Sequence, residues 1–255
     1  MNLTNREKAV ALLNSIQTGA TEPASYVNPT KYIQHNLSVA DGLAGFGAVL
    51  QNAPEGGFKV KVVRAFEDGD FVFCHSEYDF FGPKVGIDVF RFEDGLIVEH
   101  WDNLDELAAS PNPSGRTQLD GETVIRDLDK TAVNKAFAKD FIATILVGGE
   151  FDKIQNYFNG NNYIQHNPVI ADGIDGLQAA LKHMAENNIH MVYEKIHYVH
   201  GEGNYALVMS EGNLSGIAYA YFDLLRIKDF KIAEHWGVMA PILPKPERKN
   251  NNGKF

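Results

Sequence analysis

An identical pentapeptide occurs twice in this chain, as Tyr32-Ile33-Gln34-His35-Asn36 and as Tyr163-Ile164-Gln165-His166-Asn167. Matching landmarks follow each copy in the same order. Ala40-Asp41-Gly42 recurs as Ala171-Asp172-Gly173, Asp88 and Arg91 as Asp223 and Arg226, and Glu99-His100-Trp101 as Glu234-His235-Trp236. A repeat of this length is too long for a solenoid module and has the size of a domain. The 255 residues are therefore expected to hold two copies of one unit, residues 1–108 and 127–243. The stretch 109–126, with Ala109-Ser110-Pro111-Asn112-Pro113-Ser114-Gly115, reads as a linker, and 244–255 as a polar, frayed tail.

Each unit reads helices first and strands after. Thr4-Asn5-Arg6-Glu7 has capping-box spacing, Ala9, Leu12, Leu13 and Ile16 form an apolar stripe, and Gly19 is a stop. Val133, Phe137, Phe141 and Ile145 make the matching stripe, ended by Gly148-Gly149. Short helices are expected near Pro23–Tyr26 and Phe151–Phe158, and further helices over Gly45–Gln51 and Gly176–Glu186. The period then changes to two. Strands are expected at Lys59–Phe66, Phe71–Phe80, Lys84–Phe92 and Leu96–Asp102, and again at His190–His200, Asn204–Leu214, Ile217–Ile227 and Lys231–Trp236. Sequential strands with short turns make an antiparallel sheet of four, and helices gathered ahead of it cover one face.

Charge and cysteine content narrow the partners. Net charge is −10 and neither half carries a basic stripe, which argues against nucleic acid and anionic membrane. No apolar run is long enough to span a bilayer. A lone cysteine, Cys74, and the absence of a charged-then-apolar leader over Met1–Ser15 point to a reducing, cytoplasmic setting. The Asn-x-Ser/Thr triplets at Asn2, Asn36 and Asn213 then read as chance matches.

Alternation puts His100 and Asp102 on one strand face with Leu96 and Val98, and Ile97, Glu99 and Trp101 on the other. A histidine and an aspartate side by side in a pocket can poise a carboxylate for proton transfer. On the surface, the same pair is a histidine anchored by a carboxylate. Asp88 shares a face with Phe90 and Phe92, His75 with Phe71, Phe73 and Glu77, and His35 follows a short helix at an expected pocket rim. Buried ionisable groups are costly unless partnered, so this set favours a polar pocket. His35, His75, His100 and Asp88 are acceptable metal ligands, yet no metal-ligand spacing is present and no metal is expected. Nucleophile elbows, phosphate loops and dinucleotide fingerprints are missing from the sequence, so no cofactor is expected either.

Tyr-Ile-Gln-His-Asn with Asp-Gly, then Asp88-x-x-Arg91-x-x-x-Gly95, then Glu99-His100-Trp101-Asp102 together resemble the SnoaL-like family of the nuclear transport factor 2-like superfamily. Ser114-Gly115-Arg116-Thr117 through Lys130 also resembles single-domain members regarded as aldol-condensing enzymes. The resemblance implies two tandem cone-shaped α+β barrel domains, each a bent antiparallel sheet wrapped over helices around a conical pocket. It implies a small-molecule ligand and, as in the family's cyclases, cofactor-free chemistry in which Asp102 acts as the acid/base beside His100. His35 and His75 are the expected enolate donors, and Asp88 stands where those cyclases place a histidine. In the second unit Gly237 replaces the aspartate and Met209 replaces His75, while His166, Asp223 and His235 persist as ligand-binding candidates. The family also implies dimers through outer sheet faces, so Ile97 and Trp101 with Ile232 and Trp236 are expected to form outer stripes of an intrachain pseudo-dimer. Proton-transfer enzyme and non-catalytic binding module both remain open. An epoxide hydrolase using Asp88 and Arg91 is disfavoured, because residues three apart on a strand face opposite ways.

Overall fold

The first helix starts where its capping chemistry says it should. In the computed structural model, which describes residues 3–255, α1 spans Asn5–Thr18. Thr4 Oγ1 accepts from Glu7 N at 3.2 Å, and Glu7 Oε2 accepts from Thr4 N at 2.8 Å. Gly19, at φ 70°, closes the helix in the left-handed region. Asn2, with its glycosylation-like triplet, lies outside the described residues. No helix among the described residues is long and apolar enough to cross a membrane.

The chain forms two units, which are α+β in content. Unit 1 comprises the residues up to Leu107 together with Ile242–Phe255, and unit 2 is Ala108–Pro241. The expected linker 109–126 is thus built into unit 2. The tail expected to fray is built into unit 1, where Asn250 is buried.

In unit 1 a 3₁₀ turn over Glu22–Tyr26 leads to a two-residue strand β1 (Ile33–Gln34) and to α2 (Gly42–Gln51). Strands β2 (Lys59–Asp68), β3 (Phe71–Asp79), β4 (Pro83–Glu93) and β5 (Leu96–Glu106) follow. The sheet order is β1-β5-β4-β3-β2, with β1 parallel to β5 and the other pairs antiparallel. Each sheet therefore has five strands of mixed direction rather than four antiparallel ones, and neither closes into a barrel. A two-residue strand is too short to show as alternation, which is why β1 escapes a reading by period.

Unit 2 has the same plan. Helix α3 (Thr131–Phe141) widens into a π-helical turn at Ile142–Val147, and a 3₁₀ turn covers Phe151–Asn156. Then come β6 (Ile164–Gln165), α4 (Gly173–Glu186), β7 (Met191–Glu202), β8 (Tyr205–Leu214), β9 (Ile217–Lys228) and β10 (Lys231–Pro241), in the order β6-β10-β9-β8-β7.

The repeated Ala-Asp-Gly now has a physical reason. Helices α2 and α4 begin at Gly42 and Gly173, ahead of the expected Gly45 and Gly176. Asp41 Oδ1 accepts from Gln34 N, and Asp172 Oδ1 from Gln165 N, each at 2.9 Å. The aspartates tie each helix start back to the short strand. A Cβ on Gly45 would lie 1.8 Å from Ala40 O, and one on Gly176 2.1 Å from Ala171 O, so only glycine permits this turn.

One expectation about faces is overturned. Arg91 pairs with Glu99 but Phe92 with Ile97, and Ile227 pairs with Ile232 but Arg226 with Glu234. The extra residues, Val98 and Ala233, are bulges, and a bulge flips the residues beyond it to the other face. Ile97 and Ile232 therefore belong to the inner cores with Leu12, Leu13 and Phe90, or with Phe141, Ile145 and Leu225. The expected outer stripes are reduced to Trp101 and Trp236. Neither is open, for His35 stacks on Trp101 at 4.7 Å and His166 on Trp236 at 4.6 Å.

Candidate functional site

The site of unit 1 is built by strand register. Cys74 of β3 lies opposite Asp88 of β4, and Asp88 lies opposite Asp102 of β5. Phe90 pairs with His100 on the same face. A cavity of about 110 Å³ opens over these residues. Leu12, Leu13 and Ile16 of α1 and Phe46, Val49 and Leu50 of α2 wall it, while Asp88, His100, Asp102, Asn36, Gln34 and Tyr32 supply its polar part.

Two hydrogen-bonded chains run along the floor. In the first, Tyr78 Oη donates to Asp88 Oδ2, and His100 Nε2 lies 3.0 Å from Asp88 Oδ1. Phe90 stacks on the His100 ring at 4.6 Å, and His100 Nδ1 is buried without a partner. In the second, Asn36 Nδ2 donates to Asp102 Oδ2 at 2.7 Å. Lys254 from the tail donates to the Asp102 backbone carbonyl, with its Nζ 3.8 Å from Asp102 Oδ1.

The electrostatics follow from burial. Loss of water pushes the Asp88 carboxyl up, and nearby Asp102 adds to this. Hydrogen bonding and charge from His100, with the Tyr78 hydroxyl, pull the other way. Burial raises the Tyr78 hydroxyl well above its ordinary value, so it remains a donor. The Lys254 amine is pulled down by burial, an effect opposed by the charges of Asp102 and Asp88.

Asp88, His100 and Asp102 each offer a ligand atom within 4.8 Å of the others, as a cation would require. The donor set does not fit one. Both Asp88 oxygens are engaged by Tyr78 and His100, and the Asp102 carboxylate is held by Asn36 with a lysine already beside it.

Of the residues expected from sequence, Asp102, His100, Asp88 and Phe90 thus converge on one cavity, whereas three others do not reach it. His35 sits on the opposite side of β5, its Nε2 2.9 Å from Glu99 Oε1 and its Nδ1 2.9 Å from Gly253 O. Glu99 in turn accepts from Arg91 Nε at 2.7 Å, which fixes Arg91 away from Asp88. His75 and Phe73 also point to that face, because Cys74 takes the inward position. His75 Nδ1 lies 2.7 Å from Arg64 Nη1, and Phe73 stacks on Phe66 at 4.8 Å. Tyr78, Asn36 and Lys254 complete the site without any motif in the sequence that singles them out. A signal for Tyr78 exists in Gly86: a Cβ there would lie 2.7 Å from the Tyr78 ring, so the glycine makes its berth.

Unit 2 keeps the first chain and lacks the second. His235 Nε2 lies 2.8 Å from Asp223 Oδ1, and Tyr193 Oη donates to Asp223 Oδ2 at 3.2 Å. Tyr193 comes from β7, whereas Tyr78 comes from β3, on the strand next to Asp88. Gly237 occupies the position opposite Asp223, where unit 1 has Asp102. His166 does not face this network. Its Nε2 is 2.8 Å from Glu234 Oε1 and its Nδ1 2.7 Å from Thr117 O.

Residues 16–100, all within unit 1, match the family model described as SnoaL-like domain. No curated protein matches the chain. Among solved structures, an NTF2-like protein of Cytophaga hutchinsonii is similar at 15% identity and a TM-score of 0.36, covering 41% of this chain and 93% of its own. IdmH, a proposed polyketide cyclase of Streptomyces antibioticus, is similar at 16% identity and a TM-score of 0.36, with 40% and 93% covered. An LEH-like epoxide hydrolase of M. tuberculosis is similar at 22% identity and a TM-score of 0.34, with 40% and 82% covered.

Proposed function

We propose that unit 1 binds a small, largely apolar molecule bearing a carbonyl, and moves a proton at the carbon beside that carbonyl without a cofactor. Aldol-type cyclisation and isomerisation both begin with this step. The reading is carried by one observation: two carboxyl groups, Asp88 and Asp102, face each other across adjacent strands at the floor of an apolar cavity. Such a pair separates its roles when the surroundings differ. Asp88 is pushed toward its protonated form by burial. Asp102, supported by Asn36 and Lys254, is the group left to accept the proton.

In the step proposed, the C–H electron pair shifts into the carbon–carbon bond as the proton moves to an Asp102 oxygen. The carbonyl becomes an enolate, and Asp102 later returns the proton to carbon or to oxygen. Donors aimed at the developing oxyanion supply most of the stabilisation in such a step. Here the nearest candidate is the His100 ring, whose Nδ1 is buried without a partner while its Nε2 is engaged by Asp88.

The cavity sets the substrate's size. About 110 Å³ is somewhat below the roughly 150 Å³ that accommodates benzene in an engineered core. Cyclopentanone is therefore a suitable probe. Its α-hydrogens should exchange in D2O faster with the protein than without it, followed by proton NMR. Asp102→Asn should retain binding of the ketone, seen as line broadening, and lose roughly a hundredfold or more of the exchange rate. If that variant exchanges the ketone as fast as the parent, Asp102 is not the base.

A non-catalytic binding module is the second reading, and unit 2 favours it. There the tyrosine–aspartate–histidine chain persists without a second carboxylate, so the chain has a use apart from proton transfer. Ketone binding with no exchange above the buffer rate would select this reading.

A further inference from the structure

The segment Asn250–Lys254 (Asn-Asn-Asn-Gly-Lys) and the segment Asn112–Arg116 (Asn-Pro-Ser-Gly-Arg) share asparagine, glycine and a terminal cation at the same spacing. They also share a mode of docking. Asn112 Nδ2 donates to Ile170 O at 2.9 Å and Asn167 O at 3.3 Å, and Asn250 Nδ2 to Val39 O at 2.9 Å and Asn36 O at 2.8 Å. Each asparagine's own Oδ1 accepts from the backbone two residues on, Ser114 N at 2.9 Å and Asn252 N at 3.1 Å. The glycines both take positive φ, 79° and 85°. The next contacts differ in detail but meet the same landmarks. Arg116 Nε reaches Asp172 at 3.1 Å, and Asn252 Nδ2 reaches Asp41 at 3.0 Å. His166 holds Thr117 O, and His35 holds Gly253 O.

We propose that the duplicated stretch from Gln-His-Asn to Ala-Asp-Gly is a receptor for an asparagine-led strap, and that in unit 1 the strap is the chain's own segment Asn250–Lys254, which seats Lys254 on Asp102. The strap explains why the pentapeptide recurs intact while the catalytic candidate Asp102 does not. An asparagine amide that spans two carbonyls of one loop requires that loop's backbone to be held, and Asp41 and Asp172 hold it through Gln34 and Gln165. Asn250 is only 6% exposed and Asn112 5%, as befits buried anchors in otherwise polar segments. In unit 1 the strap also supplies an amine beside the Asp88–Asp102 pair, so the cavity's charge balance depends on a residue far outside the matched domain. The docking is independent of the proton-transfer reading and stands even if the cavity is chemically inert.

The test uses full-length variants and amide hydrogen exchange, with the Asp102 carboxyl carbon shift as a second readout at fixed pH. Asn250→Ala should speed exchange across Gln34–Asp41 roughly tenfold or more and move the Asp102 carbon signal, with β3 and β4 amides unchanged. Asn251→Ala, at an exposed position, should do neither. The triple variant Asn251→Pro, Asn252→Ser and Lys254→Arg writes the unit 2 strap onto unit 1 and should keep protection near that of the parent. Equal exchange in Asn250→Ala and Asn251→Ala would overturn the proposal, as would loss of protection in the triple variant. Should Asn250→Ala loosen β3 and β4 as well, the triple variant alone decides, by retaining protection or losing it.

Discussion

Removing the Tyr78 hydroxyl by Tyr78→Phe isolates one link in the unit 1 chain. The ring keeps its place against Gly86, while Asp88 loses the donor to Oδ2 and retains only His100. A hydrogen bond to a charged group contributes about 1.5–3 kcal/mol, so a loss of about 2 kcal/mol is expected, a change of about thirtyfold in the folded-to-unfolded ratio. The sign of its pH dependence can be worked out. The folded pKa of Asp88 is raised, so its contribution to stability is fully present below the unfolded value of about 3.9 and is lost as pH rises through the folded value. The hydroxyl opposes that rise by stabilising the carboxylate. Its removal should therefore destabilise unit 1 more near neutral pH than near pH 4. The chain has two tryptophans, Trp101 in unit 1 and Trp236 in unit 2, so fluorotryptophan labelling gives one NMR signal per unit during urea unfolding. An equal shift of the Trp101 transition at both pH values would refute the reasoning, since it would mean that the hydroxyl does not sense the charge on Asp88.

Other changes should act as locally. Gly121, at φ 97°, leaves no room for a side chain: a Cβ would lie 2.1 Å from Glu234 Oε1 and 2.9 Å from His166 Nε2. Gly121→Ala should cost about 2 kcal/mol or more of unit 2 stability, read from the Trp236 signal. At Gly237 a Cβ would meet nothing closer than 3.5 Å, so Gly237→Asp should fold and place a carboxylate opposite Asp223. Unit 2 of that variant should be less stable near neutral pH than near pH 4, measured by the same labelled unfolding, because like charges would then face each other. Leu13→Ala removes a buried side chain from the cavity wall and should destabilise unit 1 by about 2–4 kcal/mol in urea denaturation.

Much of this architecture is legible in the sequence because local and global signals agree. The Thr4 capping box, the Gly19 stop and the period-two runs over β2–β5 and β7–β10 all fall where the structure has them. Alternation also groups Asp88 with Phe90 and His100 with Asp102, and the two pairs share one face because the β4–β5 ladder is unbroken from Asp88–Asp102 to Phe90–His100. Alternation fails where the register breaks. One bulge at Val98 carries Ile97 inward, and the sequence has no residue there that announces it. His75 and Phe73 lie away from the cavity for a different reason. Alternation keeps the two on one face but does not say which face is inward, and Cys74, between them and opposite Asp88, takes the inward position. Lys254 was out of reach altogether, because a short polar segment docks through backbone carbonyls of a loop, which leave no trace in hydropathy. Its only trace is the Asn-x-x-Gly spacing shared with Asn112–Gly115, visible once both segments are known to dock.

The tyrosine that serves the buried aspartate arrives from β3 in one unit and from β7 in the other. Which strand delivers it is settled by a pair of vacancies. Gly86 clears space for Tyr78, and Gly212, where a Cβ would fall 1.9 Å from Val192 O, leaves the β3-like position empty while Tyr193 fills in from the edge. The sheet thus fixes the need for a donor without fixing its address, so an ancestor could have exchanged one supplier for the other while the acid stayed satisfied throughout. Comparisons of such chains column by column would score both tyrosines as unmatched, although they perform the same duty.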